Sequence, residues 1–124
     1  MNQWICLILG GTAGTLLRYA VSGWALQRAG SVFPFGTLTV NLSGCFLAGF
    51  LTVMIESRWP LSANARLLFI TGFCGAFTTF SALILEFYGL IRNGDLPRAF
   101  LYAGLSFAAG FFLFCAGIWA AQKI

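Results

Sequence analysis

Four apolar runs, each near the length needed to cross a bilayer, leave this chain few ways to fold. They extend from about Trp4 to Leu26, Phe35 to Ile55, Arg66 to Ile91 and Phe100 to Ala121. A helix needs about 20 predominantly apolar residues to cross a hydrocarbon core of roughly 30 Å. Four crossings with short connections therefore use nearly all of the 124 residues. Composition agrees: 60% of the residues are hydrophobic and 8% charged, against about 25% charged in a typical soluble domain. A soluble chain this apolar would expose the large contiguous patches that monomeric soluble proteins avoid. The expected fold is a single all-α, multi-pass integral membrane domain.

The connections carry the residues that end helices. Arg28, Gly30 and Pro34 separate the first two runs, Glu56, Arg58 and Pro60 close the second, and Arg92, Asn93, Gly94 and Asp95 form a polar turn before the fourth. Trp4, Trp24, Trp59 and Trp119 fall near run ends, where aromatic belts sit at headgroup level. The first run lacks the basic region and small-residue cleavage site of a signal peptide, and we expect it to be retained. Cys6, Cys45, Cys74 and Cys115 all lie within apolar runs, as small core residues rather than a disulfide framework. With no His and no CxxC, the chain offers nothing for a zinc or haem site. Seven scattered bases give a net charge of +4 without forming a patch, which argues against a nucleic-acid partner. No nucleophile with an activating base can be assembled from this inventory, so an enzyme is not expected.

The cytoplasmic side of a membrane protein normally holds the excess of Lys and Arg in its short loops. Here Arg58, Arg66 and Lys123 lie on the side of both termini, and Arg28, Arg92 and Arg98 lie on the other. The two sides tie. Arg18, inside the first run, adds a weak vote for the second side if it snorkels past Trp24. The tie leads us to expect insertion both ways up and a head-to-tail pair.

Polar groups at membrane depth need partners or a water-filled path. In the second run, Thr37 and Asn41 share one helical face a turn apart, with Ser43 and Gly44 behind them. The Asn41 amide either glues two helices together or lines an aqueous track. In the third run, Gly72, Phe73, Cys74, Gly75, Ala76, Phe77, Thr78, Thr79, Phe80 and Ser81 bring two glycines and three hydroxyls into an apolar helix. Either the helix breaks there, which membrane proteins tolerate where the backbone is buried or faces a cavity, or it continues with glycines for close packing. Glu86 follows, as a carboxylate that reaches water or pairs with a base, or as part of the polar path. Gly10 and Gly14, and Gly44 with Ala48, have the spacing of close helix packing. Phe100, Phe107, Phe111 and Phe114 approximate a stripe interrupted by Tyr102 and Ser106. Ring edges are weakly positive, so rings turned into a passage can receive an anion without a fixed charge.

The third-run segment Gly72 to Ser81 resembles the signature of the small bacterial fluoride channels of the CrcB or Fluc family. Gly10, Gly11, Gly14 and Arg18 resemble the family's opening, and Pro34, Gly36, Thr37, Leu38, Val40, Asn41 and Gly44 resemble its second-span motif. Order, spacing and length agree almost end to end. The resemblance implies an antiparallel, dual-topology homodimer in the bacterial inner membrane, with four spans per chain and a break in the third. It further implies two parallel pathways for passive fluoride export. Backbone carbonyls at Gly75 and Thr78 would hold a structural sodium ion that is not transported, four carbonyls from two subunits suiting a hard cation. Asn41 would donate to fluoride, Phe80 would give a ring edge, and Ser81 would belong to a polar track. Tyr102 and Ser106 would contribute from the fourth span, with Thr37, Thr79, Glu86 and Arg18 as further pathway or structural positions.

One departure stands out. The family continues Phe-Ser-Thr-Phe-Ser, whereas Phe80 and Ser81 are here followed by Ala82, Leu83 and Ile84, without the second ring and two hydroxyls. The alternative reading is a proton-coupled exporter of hydrophobic cations, resembling the small multidrug transporters. Those proteins rely on a carboxylate deep in the first span, where this chain has none.

Overall fold

The computed structural model describes residues 2–58 and 63–124, and Trp59 and Pro60, expected at the end of the second run, lie outside them. Helix α1 spans Gln3–Ala29 and α2 spans Phe35–Val53, which continues as a π-helical turn, Met54–Arg58. The third run comprises α3 (Ala63–Arg66), a π-helical stretch Leu67–Cys74, α4 (Gly75–Phe77) and α5 (Phe80–Arg92), and α6 spans Leu96–Gln122. Four helical segments, Gln3–Ala29, Phe35–Arg58, Ala63–Arg92 and Leu96–Gln122, are long and apolar enough to cross a membrane.

Local chemistry sets the ends. The Asn2 side chain accepts from the Trp4 amide at 3.0 Å to start α1, and Gly30, at φ 85°, ends it by donating to the Leu26 carbonyl. The fourth helix begins at Leu96, earlier than its apolar run near Phe100. The reason is that the Asp95 side chain caps the Arg98 amide and Pro97 sits in the first turn, where its missing N–H costs nothing. Trp4, Trp24 and Trp119 are exposed, and Arg28 and Lys123 stack over Trp24 and Trp119 at 5.5 and 5.3 Å. A base held against an amphipathic ring suits the headgroup region.

The helices pack through glycines. The most extensive contacts join α2 to α6 and α1 to the π-helical stretch. A Cβ at Gly10 would overlap the Leu68 carbonyl oxygen, and one at Gly14 would overlap that of Phe73. The GxxxG face of the first run is thus spent within the chain, on the third span. Between α2 and α6 the fit is reciprocal: a Cβ at Gly49 would strike the Phe114 carbonyl, and one at Gly117 that of Phe46. Such contacts let backbones approach where no hydrophobic effect drives helices together. Gly117→Ala should therefore destabilise the bundle by about 1–3 kcal/mol through overpacking. Gly104→Ala, on the same helix with nothing within 4 Å of a new Cβ, should leave the melting temperature in detergent unchanged or slightly raised. Equal losses at the two positions would refute close packing as the cause.

Beneath this frame, Leu38, Leu90, Ala99 and Tyr102 form a small buried cluster, joined by Phe33, Leu42, Leu83 and Phe87. Most other large apolar side chains face outward, among them Leu85, Phe107, Phe111 and Phe112, as expected where the solvent is lipid.

Candidate functional site

Thr78 and Thr79 lie between α4 and α5 with extended backbone, at φ −82°, ψ 158° and φ −150°, ψ 122°. Extended residues at this depth free polar backbone groups that lipid cannot satisfy. Asn41 meets part of that need. Its amide nitrogen donates to the Thr79 carbonyl at 3.0 Å, and its carbonyl oxygen accepts from the Thr79 N–H at 2.7 Å. Of the two roles open to Asn41 in the sequence, gluing is the one its amide performs within the chain, and one amide hydrogen is left over for another acceptor. Thr79 also caps α5, its hydroxyl accepting from the Ala82 amide at 3.3 Å and lying 3.5 Å from the Ser81 hydroxyl.

These bonds divert two helical donors. In a continuous helix the Thr79 amide would serve the Gly75 carbonyl and the Ala82 amide the Thr78 carbonyl. Here the first donates to Asn41 and the second to the Thr79 hydroxyl. The Thr78 hydroxyl turns back to the Cys74 carbonyl at 2.9 Å. Gly75 is exposed and Thr78 partly so, leaving two carbonyls, without their usual partners, at an accessible edge. Uncharged oxygens of this kind are the donor type a hard cation takes.

One turn further along α5, the Glu86 carboxylate accepts two short hydrogen bonds, from the hydroxyls of Thr37 and Tyr102, each at 2.7 Å. This corrects the reading of Glu86 as a group that pairs with a base: its partners are hydroxyls. Thr37 and Tyr102 are 5% and 0% exposed, and the carboxylate is the acceptor that each hydroxyl uses. Phe33, from the connection before α2, packs edge-on to the Tyr102 ring at 5.7 Å and 82°.

An open groove of about 1010 Å³ runs between α1, α2 and α5, and Arg18, Thr37, Thr79, Ser81 and Glu86 all line it. Six expected positions lie apart from that wall. Tyr102 is buried and reaches it only through Glu86, and Ser106 holds a buried hydroxyl without a protein partner among the described residues. Phe80, 76% exposed, projects from the first turn of α5, while Asn41, Gly75 and Thr78 belong to the segment around Thr79. Phe107 and Phe111 face outward and Phe100 packs edge-on against Phe87, so the fourth-span stripe does not line the groove. Leu83, where the family pattern has its second ring, belongs to the cluster around Tyr102.

Sequence reasoning missed the part Phe33 plays, because nothing in a short connection marks a ring that folds back onto a helix. The capping role of Thr79 had a signal, a Thr three residues before Ala82 at a helix start.

Comparison with known proteins covers the chain almost end to end. Residues 5–118 match the family model described as CrcB-like protein, Camphor Resistance (CrcB). A protein of Desulforapulum autotrophicum named fluoride-specific ion channel FluC is 44% identical over 117 residues, 94% of each chain. One of the same name from Roseiflexus sp. is 47% identical over 86% of each, and one from Acidobacterium capsulatum is 37% identical over 98% of each. With the family model and these relatives spanning its length, this four-helix chain belongs to the CrcB family.

Proposed function

We propose that this protein is a fluoride channel, letting fluoride leave the cytoplasm passively through an antiparallel homodimer in the bacterial inner membrane. The observation that carries this reading is similarity over nearly the whole chain to relatives named fluoride-specific ion channels. The donor types at the assigned positions fit the task. Fluoride is small and strongly hydrated, so a path must replace its water yet release it. Hydroxyls, an amide hydrogen and ring edges attract it weakly, whereas a ring of buried bases would hold it. Asn41, Phe80, Ser81, Tyr102 and Ser106 are the positions assigned to the path.

We read the extended residues Thr78 and Thr79 as the break in the third span, and the diverted carbonyls of Gly75 and Thr78 as ligands for a structural sodium ion shared with a second chain. The ion would supply the positive charge that draws four freed carbonyls together. The tie of basic residues between the two sides supports dual topology. A tag at the C-terminus should be reactive from both sides of the membrane, and reactivity from one side alone would exclude antiparallel pairing. The small-multidrug alternative fares worse, because the membrane carboxylate here lies in the third span and already accepts from two hydroxyls.

The test is fluoride efflux from liposomes containing the purified protein, with sodium present and chloride as the competing anion. Fluoride release without chloride release is expected, and no release from assembled, sodium-loaded dimers refutes the assignment. Leu83→Phe in the same assay restores the family's second ring beside Tyr102 and should change the fluoride rate. An unchanged rate would place that position off the path.

A further inference from the structure

We infer that the groove between the α1–α2 connection and the outer face of α6 binds one anionic phospholipid, its acyl chain against the apolar wall and its phosphate at Arg98. This goes beyond the fluoride reading and does not depend on which ion the protein passes. The groove has a volume of about 410 Å³, and apart from Arg98 its lining side chains are apolar, with Val32, Phe33, Phe35, Leu101 and Leu105 forming most of the wall. Its depth in the membrane follows from the chain. The end of α1, the start of α2, the end of α5 and the start of α6 all lie on one side, so the groove begins at headgroup level. From Arg98 to Leu105 it then follows α6 for roughly 10 Å, at about 1.5 Å per residue.

Charge selects the occupant. The bases on this side are Arg28, Arg92 and Arg98, and Asp95 is the acid among these turns. Arg98 donates one bond to Asp95 at 2.9 Å, yet its side chain remains about half exposed. A guanidinium offers five N–H donors in a fork that fits phosphate oxygens, so one carboxylate does not exhaust it. Arg28 lies outside the wall, held over Trp24 in the neighbouring groove, and adds to the positive charge on this side of the bundle rather than at the groove itself. Val32 at 69% and Leu101 at 56% exposure leave apolar surface that an acyl chain would cover. A zwitterionic lipid fills the apolar wall equally well but gains less from the excess positive charge, which predicts headgroup preference.

Native mass spectrometry of the detergent-solubilised full chain, mixed with equal amounts of phosphatidylglycerol and phosphatidylcholine of matched acyl chains, tests this directly. One phosphatidylglycerol per chain, preferred several-fold over phosphatidylcholine, is expected. Arg98→Gln should abolish the headgroup preference, and Leu105→Trp should lower occupancy of both lipids by filling the groove. Arg58→Gln, at the far end of the bundle, should change neither. Equal binding of the two lipids to the unaltered protein overturns the inference, as does a preference that survives both groove substitutions. If Leu105→Trp instead converts dimers to monomers with lipid binding unchanged, the groove belongs to an interface between copies of the chain and the lipid assignment fails.

Discussion

Replacing Asn41 with Ala should abolish fluoride efflux and lower stability together, while the assembled mass stays that of the unaltered protein. The side chain does two things for one residue: it donates to the Thr79 carbonyl and accepts from the Thr79 amide. Alanine strips both partners from backbone that is already outside a helix. An unsatisfied buried polar group costs about 1–3 kcal/mol, giving roughly 2–6 kcal/mol for the pair. The same loss frees the Thr79 backbone to shift, and with it the cap on α5, the ring of Phe80 and the hydroxyl of Ser81. The packing of α2 on α6 within the chain, through Gly49 and Gly117, is untouched, so the four-helix fold of each chain should survive. Efflux, melting temperature and mass by light scattering check the three parts. An unchanged melting temperature would show that water already serves Thr79. Lost assembly with no specific loss of flux would favour a subunit whose polar residues serve only association.

How much of this was legible in the sequence depends on whether the information is local. Run length and the scarcity of charge mark four membrane-crossing helices, because lipid imposes those requirements on each segment separately. Gly10 and Gly14 are recognisable as a close-packing face, but nothing in their spacing says that the face meets Leu68 and Phe73 rather than another chain. Asn41 stands out as costly in lipid. Its partner does not, since Thr79 offers its amide and carbonyl to a side chain only where its backbone is extended. Glu86 shows the same limit more sharply. A carboxylate near a span end suggests water or a base, and the two hydroxyls that it actually meets lie 49 residues before it and 16 after. Pairings of that range are fixed by how α2, α5 and α6 cross, which the close approach of small residues decides. Leu83 was legible as a departure from the family pattern, and its place in the buried cluster was not.

The second large effect is expected at Glu86. Glu86→Leu removes the acceptor of the hydroxyls of two buried residues, Thr37 and Tyr102. At about 1–3 kcal/mol for each stranded hydroxyl, the loss is roughly 2–6 kcal/mol, partly offset by the apolar replacement. Tyr102→Phe removes one donor and leaves Thr37 on the carboxylate, forfeiting a charge-assisted bond of about 1.5–3 kcal/mol. The decisive variant combines them. With Leu at 86 and Phe at 102, the buried Tyr hydroxyl no longer exists to be stranded, and the cluster of Leu38, Leu90 and Phe33 closes around two apolar side chains. The double variant should then be less destabilised than the sum of its parents, with a coupling of about 0.5–3 kcal/mol. Unfolding of all four proteins in the same detergent measures this cycle. Additive losses would mean that the hydroxyl and the carboxylate do not depend on each other in solution. Positive coupling would mean that the third and fourth spans are tied through one carboxylate at the wall of the groove. Glu86 would then hold Tyr102 in place whatever part it takes in conduction, and a change in flux on its removal would have to be separated from the movement of that ring before it could be assigned to charge.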